Sequence, residues 1–116
     1  MSGEAKAGAP VRKWKRVKVD VRVRLRRWEE RDEAAKVVRS YELSEGGMSV
    51  YASETLEVGC WVSVEFSLAS PEKISLRAIV RNRRGFRCGL EFVDVPPTQL
   101  EEIRRYLATV EGTLVV

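Results

Sequence analysis

The chain has no histidine and only two cysteines among its 116 residues. Without His it lacks the commonest general base, the usual metal ligand and every Ser–His or Cys–His catalytic pairing. Cys60 and Cys88 stand far apart, outside any CxxC spacing, and two thiolates alone do not complete a structural zinc site. They read as reduced thiols packed in a core. Long apolar runs are missing too. The longest, such as Val37-Val38 and Leu114-Val115-Val116, fall far below the roughly 18 residues that a membrane span needs. The first ten residues hold no apolar stretch of the kind that directs secretion, so a cytoplasmic location is expected. No internal repeat is found. Enzyme and metalloprotein classes are left without a supporting constellation: no catalytic residue, no metal ligands and no cofactor are expected.

What remains is an ordinary globular balance, 44% hydrophobic and 33% charged. At this length one domain is expected, burying roughly two thirds of its unfolded surface. The charge is uneven. Residues 1–31 carry eleven Lys/Arg against four acids, a net +7, while the rest of the chain carries −3. A basic N-terminal arm on a mildly acidic body points to an anionic partner, although a basic run can equally be a solvated strand face.

Periodicity gives the architecture. Val17, Val19, Val21, Val23 and Leu25 alternate with charged residues, as a half-buried strand requires. Lys36–Leu43, Met48–Ala52, Val62–Leu68, Ile74–Val80 and Cys88–Phe92 supply five more strands. Turns fall at Ser44-Glu45-Gly46-Gly47, where tandem glycine tolerates positive φ, at Glu57-Val58-Gly59, and at the basic stretch Arg81–Gly85. Pro96-Pro97 ends the strands. Thr98–Glu101 has capping-box spacing, and Leu100, Ile103 and Leu107 recur at helical spacing for about three turns. The fold class is therefore all-β with a C-terminal helix, a small six-stranded antiparallel β-barrel with a packed interior. Residues 1–11 read as a flexible lead-in, 12–110 as the domain, and 111–116 as a short extra strand or tail. Trp28 and Trp61 are expected in the core or plugging the barrel ends.

Two short patterns carry a resemblance. Arg12-Lys-Trp-Lys-Arg16 is an RxxxR directly before the first strand, and Glu42-Leu-Ser44-Glu-Gly46-Gly47 stands directly before the third. Val80-Arg81 at a strand end and Gly89-Leu-Glu-Phe92 follow in register. Together they resemble the PilZ domain, a bacterial cyclic di-GMP receptor of split-barrel type, over roughly residues 11–110. The second motif departs from the family's [D/N]xSxxG by placing Glu42 where Asp or Asn is usual.

The resemblance implies a non-catalytic receptor for cyclic di-GMP, serving motility or biofilm signalling through an unidentified protein partner. It assigns nucleotide binding to Arg12, Arg16, Glu42, Ser44, Gly46 and Gly47. Guanidinium suits phosphate oxygens and the guanine O6/N7 edge, and a carboxylate suits guanine N–H donors. Ser44 offers a short hydroxyl, and the glycines allow close backbone approach. Val11, Lys13, Trp14 and Arg81 are further candidates. Val11 supplies neither charge nor a stacking plane, which favours one nucleotide per chain. Each residue has a structural alternative: Arg12 and Arg16 as members of a basic run, Ser44 as a turn cap, Trp14 as an anchor for the arm. The rival function is a PilZ-like adaptor that has lost the nucleotide and works by protein–protein contact. A nucleic-acid barrel is disfavoured, because the exposed strand faces read as mostly charged or Ser rather than aromatic.

Overall fold

Alternating Val/Leu and charged residues give Val17–Arg27 one apolar face, and that face becomes the first wall of a barrel as strand β1. The computed structural model describes residues 15–53 and 56–114. Strands β2 (Lys36–Leu43), β3 (Gly47–Tyr51), β4 (Trp61–Ser67), β5 (Lys73–Arg84) and β6 (Arg87–Val93) follow. They close antiparallel in the order β1–β2–β3–β6–β5–β4, with β4 returning to β1. Two three-stranded meanders, β1–β3 and β4–β6, are thus joined edge to edge, and closure leaves no free sheet edge. This is the six-stranded barrel that the alternation predicts.

Inward residues of every strand meet in one core. Val23, Val50, Val62, Val64, Ile74, Ala78 and Val80 are wholly buried, each contributing about 1.5–3 kcal/mol of hydrophobic stabilisation where a large side chain is removed from water. Cys88 is buried and Cys60 half-buried against the same core, both free thiols as expected. Helix α1 (Pro97–Leu114) adds Ile103 and Leu107 to that core, while Leu100 is half-buried.

Several boundaries differ from the sequence reading. The Leu100 N–H donates to the Pro96 carbonyl at 2.9 Å, so Pro96 takes the cap position and Pro97 the first helical turn. Thr98 lies inside the helix, and no capping box forms around it. The helix also runs to Leu114, past the tail boundary at 111, and spans 18 residues rather than three turns. Arg81–Arg84 are strand, not turn; β5 continues through them, and the reversal falls at Gly85 with φ +63°. A short 3-10 turn at Asp32–Ala34 had no clear sequence signal.

Trp28 and Trp61 are not plugs. They are 46% and 39% exposed, and the Arg77 guanidinium lies over both rings, 5.5 and 5.3 Å from their centroids. Cation–π contact outside the barrel takes the place of burial within it.

Three register shifts interrupt the ladders: at Lys18/Val21 in β1, Ser40/Glu42 in β2 and Val80/Asn82 in β5. The first leaves Val19 only half-buried. The other two re-aim side chains outward, as bulges do beside binding sites.

Candidate functional site

The β2 and β5 bulges flank a cavity of about 230 Å³ on the outer face of the barrel, over strands β2, β3, β6 and β5. On the β2 side, the buried Ser40 hydroxyl donates to the Glu42 carbonyl at 3.0 Å and supports the bulge that presents Glu42 outward. Arg16, just before β1, donates from Nη1 to Glu42 Oε1 at 3.2 Å. Ser49 Oγ donates to the same carboxylate oxygen at 3.3 Å. The RxxxR end and the acidic start of the second motif, far apart in sequence, therefore meet at one wall.

The turn between β2 and β3 is built from its own side chain. Ser44 Oγ accepts from the Gly46 N–H at 3.2 Å and donates to the Gly47 carbonyl at 3.3 Å. The Ser44 N–H donates to that same carbonyl at 2.9 Å. Ser44 is buried, so its hydroxyl acts here as the turn's cap. The turn is fastened from two sides. The Phe92 N–H donates to the Gly46 carbonyl at 2.8 Å, and Arg104 of α1 donates from Nε to Glu45 Oε1 at 2.9 Å.

The glycines serve a different end from the one their pairing suggests. Among the described residues, the glycines at positive φ are Gly59 and Gly85, not Gly46 or Gly47. A Cβ on Gly47 would lie 2.0 Å from the Leu90 carbonyl oxygen. Gly47 is required by close approach of β3 to β6, and the same lack of a side chain keeps the cavity floor low.

The opposite wall comes from β5 and β6. Arg81 pairs with Glu91, and Asn82 lies over Gly89, where a Cβ would come within 2.6 Å of Asn82 Nδ2. Of the candidates from sequence, Arg16, Glu42, Ser44, Gly46, Gly47 and Arg81 line one cavity. Arg12, Val11, Lys13 and Trp14 lie outside the described residues.

Sequence reading missed Ser49, Asn82, Glu91 and Arg104. Ser49 and Glu91 had a signal, since period two puts Ser49 on the face of Gly47 and Glu91 on that of Gly89. Asn82 had none, because its orientation depends on the β5 bulge. Aromatics do reach the outer face nearby: Tyr41 and Tyr51 have ring centroids 4.4 Å apart, and Arg87 lies over Tyr41 at 6.0 Å. The two rings are tilted by 32° against one another, and Tyr51 is 45% exposed.

Chemically, the site offers guanidinium and carboxylate groups on two walls of a glycine-floored hollow. It can bind, and among the described residues no cluster of His, Cys, Asp and Glu could hold a metal. No helix of the described residues is long and apolar enough to cross a membrane.

Comparison with known proteins agrees with the barrel fold. The family model for the PilZ domain matches residues 10–109. No curated protein matches in a sequence search. Among solved structures, the chain is similar to the Bacillus subtilis inhibitor of motility MotI/DgrA, at 17% identity and TM-score 0.71, over 90% of this chain and 52% of that one. It therefore spans about half of that protein. It is also similar to the PilZ domain of CeSA from a cellulose-synthesizing bacterium, at 19% identity and TM-score 0.64, over 85% of this chain and 97% of that one. The PilZ domain of Escherichia coli YcgR, solved with c-di-GMP, gives 18% identity and TM-score 0.67, over 89% and 93%. At these identities the likeness is one of fold.

Proposed function

The chain belongs to the PilZ domain family, and from that premise we propose that it is a non-catalytic receptor for cyclic di-GMP. The observation that carries the reading is the convergence of Arg16, Glu42 and the Ser44–Gly47 turn on one outer-face cavity. Arg16 engages a phosphate or a guanine O6/N7 edge, and Glu42 accepts from guanine N1–H and N2–H. Arg12, four residues earlier in the RxxxR, completes the clamp in this reading. The turn holds the cavity's shape through Ser44. Binding at the arm is passed to a protein partner in the cytoplasm, and likeness to an inhibitor of motility supports motility or biofilm control as the output.

Calorimetric titration of the chain with cyclic di-GMP, and with cyclic di-AMP as control, tests the reading. Saturable heat with cyclic di-GMP alone, ending at one nucleotide per chain, is expected. Heat with neither ligand would favour the adaptor reading. The observation that favours that second reading is the occupied state of Glu42, whose carboxylate is already engaged by Arg16 and Ser49.

A further inference from the structure

The hairpin joining β5 to β6 ends in a cluster of cations that lies outside the cavity. Along β5, Ile74, Leu76, Ala78 and Val80 alternate into the core, and Cys88 resumes the alternation on β6. Between them every residue of Arg81-Asn-Arg-Arg-Gly-Phe-Arg87 is exposed. A strand packed on a core buries every second residue, so the end of this hairpin stands clear of the barrel. Gly85 and Phe86 form a two-residue turn, with φ +63° at Gly85 and Arg84 opposite Arg87 at its base. Phe86 is 65% exposed, the highest value among the large hydrophobic side chains of the described residues.

The charges at this tip are not neutralised by the fold. Many arginines of the barrel meet carboxylates, as Arg39 meets Asp20 and Arg77 meets Asp94. Among the described residues, none of Arg83, Arg84 and Arg87 does so. Arg83 donates from Nε to the Gly85 carbonyl at 3.1 Å, and Arg87 lies over the Tyr41 ring. Like charges directly opposite in a ladder are destabilising, and Arg84 faces Arg87. Arg22 also faces an arginine, Arg39, but there Asp20 accepts from Arg39 at 3.0 Å. The tip therefore carries a cost in stability that a bound polyanion would remove.

The placement of the cations decides what kind of polyanion fits. Arg84 and Arg87 share the outer face of the hairpin, whereas Arg83, opposite Cys88, shares the face that Cys88 turns to the core. Guanidinium groups thus flank the apolar end on both faces. A protein docking on the hairpin would cover one face and leave the other cation outside the contact. A plane of phosphates met end-on reaches both faces at once, and Phe86 at the apex enters the boundary between headgroups and acyl chains.

We infer that the β5–β6 hairpin tip is a docking site for an anionic lipid surface, with Arg83, Arg84 and Arg87 on the headgroup phosphates and Phe86 inserted between them. The contact is peripheral and reversible, because three cations and one aromatic ring are too few for permanent anchoring. It stands independently of nucleotide binding.

The test is co-sedimentation of the full chain with vesicles of phosphatidylcholine containing about one third phosphatidylserine, and with vesicles of phosphatidylcholine alone. The unaltered chain is expected to bind the anionic vesicles at least about tenfold better, and less well as salt is raised. Arg84→Ala should weaken that binding about fivefold and the Arg83→Ala/Arg84→Ala chain about twenty-five-fold. Phe86→Ala, which removes no charge, should weaken it about threefold or more. Arg105→Ala is the control. It removes an exposed cation next to Arg104, which bonds Glu45 of the β2–β3 turn at the other end of the barrel wall, and it should change little. Thermal unfolding of each variant checks that the barrel is intact. Equal binding to both kinds of vesicle overturns the inference. So does an equal loss in Arg84→Ala and Arg105→Ala with none in Phe86→Ala, which would mean attraction by net charge alone. Polyglutamate serves as a second probe: binding to it that depends on Arg84 and Phe86, without binding to vesicles, would make the tip a contact for an acidic protein and overturn the lipid assignment.

Discussion

Arg16 Nη1 lies 3.2 Å from Glu42 Oε1, a contact spanning 26 residues of sequence and joining the start of β1 to the end of β2. Both side chains are partly exposed, so the ion pair itself contributes no more than about 1 kcal/mol. Its weakness suits a site in which each partner must turn to a ligand. Arg16→Ala is expected to weaken cyclic di-GMP binding at least tenfold, since loss of one charge-assisted hydrogen bond costs roughly 1.5–3 kcal/mol. Thermal stability should stay within about 1 kcal/mol of the unaltered chain. Glu42→Gln should weaken binding similarly while leaving the barrel intact. Unchanged affinity in both would remove the pair from the binding site.

Two glycines of the cavity floor should respond oppositely to alanine. At Gly47 the new Cβ meets the Leu90 carbonyl at 2.0 Å, and a backbone atom in a barrel ladder cannot yield without moving β6. Gly47→Ala is expected to destabilise by about 1–3 kcal/mol or more. At Gly89 the Cβ meets only the end of the Asn82 side chain, which can swing away. Gly89→Ala should leave stability nearly unchanged while raising the cavity floor and weakening nucleotide binding. Denaturant midpoints beside titrations for both variants check the contrast.

Particular residues show how far the sequence could be read. Period two in Val17–Leu25 and Val62–Phe66 fixed which faces are inward, and all but Val19 are buried. The remaining strands were read from their own apolar segments between turn residues, and the helix from the spacing of Leu100, Ile103 and Leu107. Bulges were not legible, since an extra residue leaves no mark on local composition, and bulges are what aim Glu42, Arg81 and Asn82. Tandem glycine at 46–47 was rightly marked as special but for the wrong cause. Positive φ is a local property, whereas the Leu90 contact of Gly47 is long-range and invisible until β6 is placed. The tryptophans misled for a similar reason, because only the folded barrel brings Arg77 between Trp28 and Trp61.

Arg104 of α1 holds Glu45 at 2.9 Å, a side-chain link between the helix and the β2–β3 turn. It gives the helix a direct mechanical stake in the turn beside the cavity. Arg104→Ala should loosen the turn without unfolding the barrel, because the Phe92 to Gly46 hydrogen bond remains. A loss of affinity of about two- to fivefold is expected, consistent with about 0.2–1 kcal/mol for an exposed pair. In amide spectra of the unaltered chain, nucleotide addition should shift resonances around 104 as well as those around 45. If the variant loses the helix shifts but keeps those of the turn, Arg104 is the route between them.

The two thiols give a pH dependence of known sign. Burial pushes the Cys88 thiol above its ordinary range, with Arg83 opposing in part, and burial does the same at Cys60 against Arg27. In the unfolded chain both return to the ordinary thiol range. The unfolded state therefore releases these protons first, and where it holds fewer protons than the folded state, stability falls as pH rises. The contribution from both thiols is fully present below the ordinary thiol pKa and is lost as pH climbs through the raised folded values. Denaturant midpoints of the unaltered chain should be flat with respect to these groups at pH 7 to 8 and should decline above that. Lys and Tyr also titrate in the alkaline range, so the informative quantity is the difference in slope against a Cys60→Ala/Cys88→Ala chain, which should decline less. Packing lost on substitution lowers that variant's midpoint at every pH but leaves its slope interpretable. Alkylation gives an independent check: Cys88 should react far more slowly than a free thiol at neutral pH, with Cys60 between them. Equal alkaline slopes in the two chains, or rapid labelling of Cys88 at pH 7, would contradict burial as the cause.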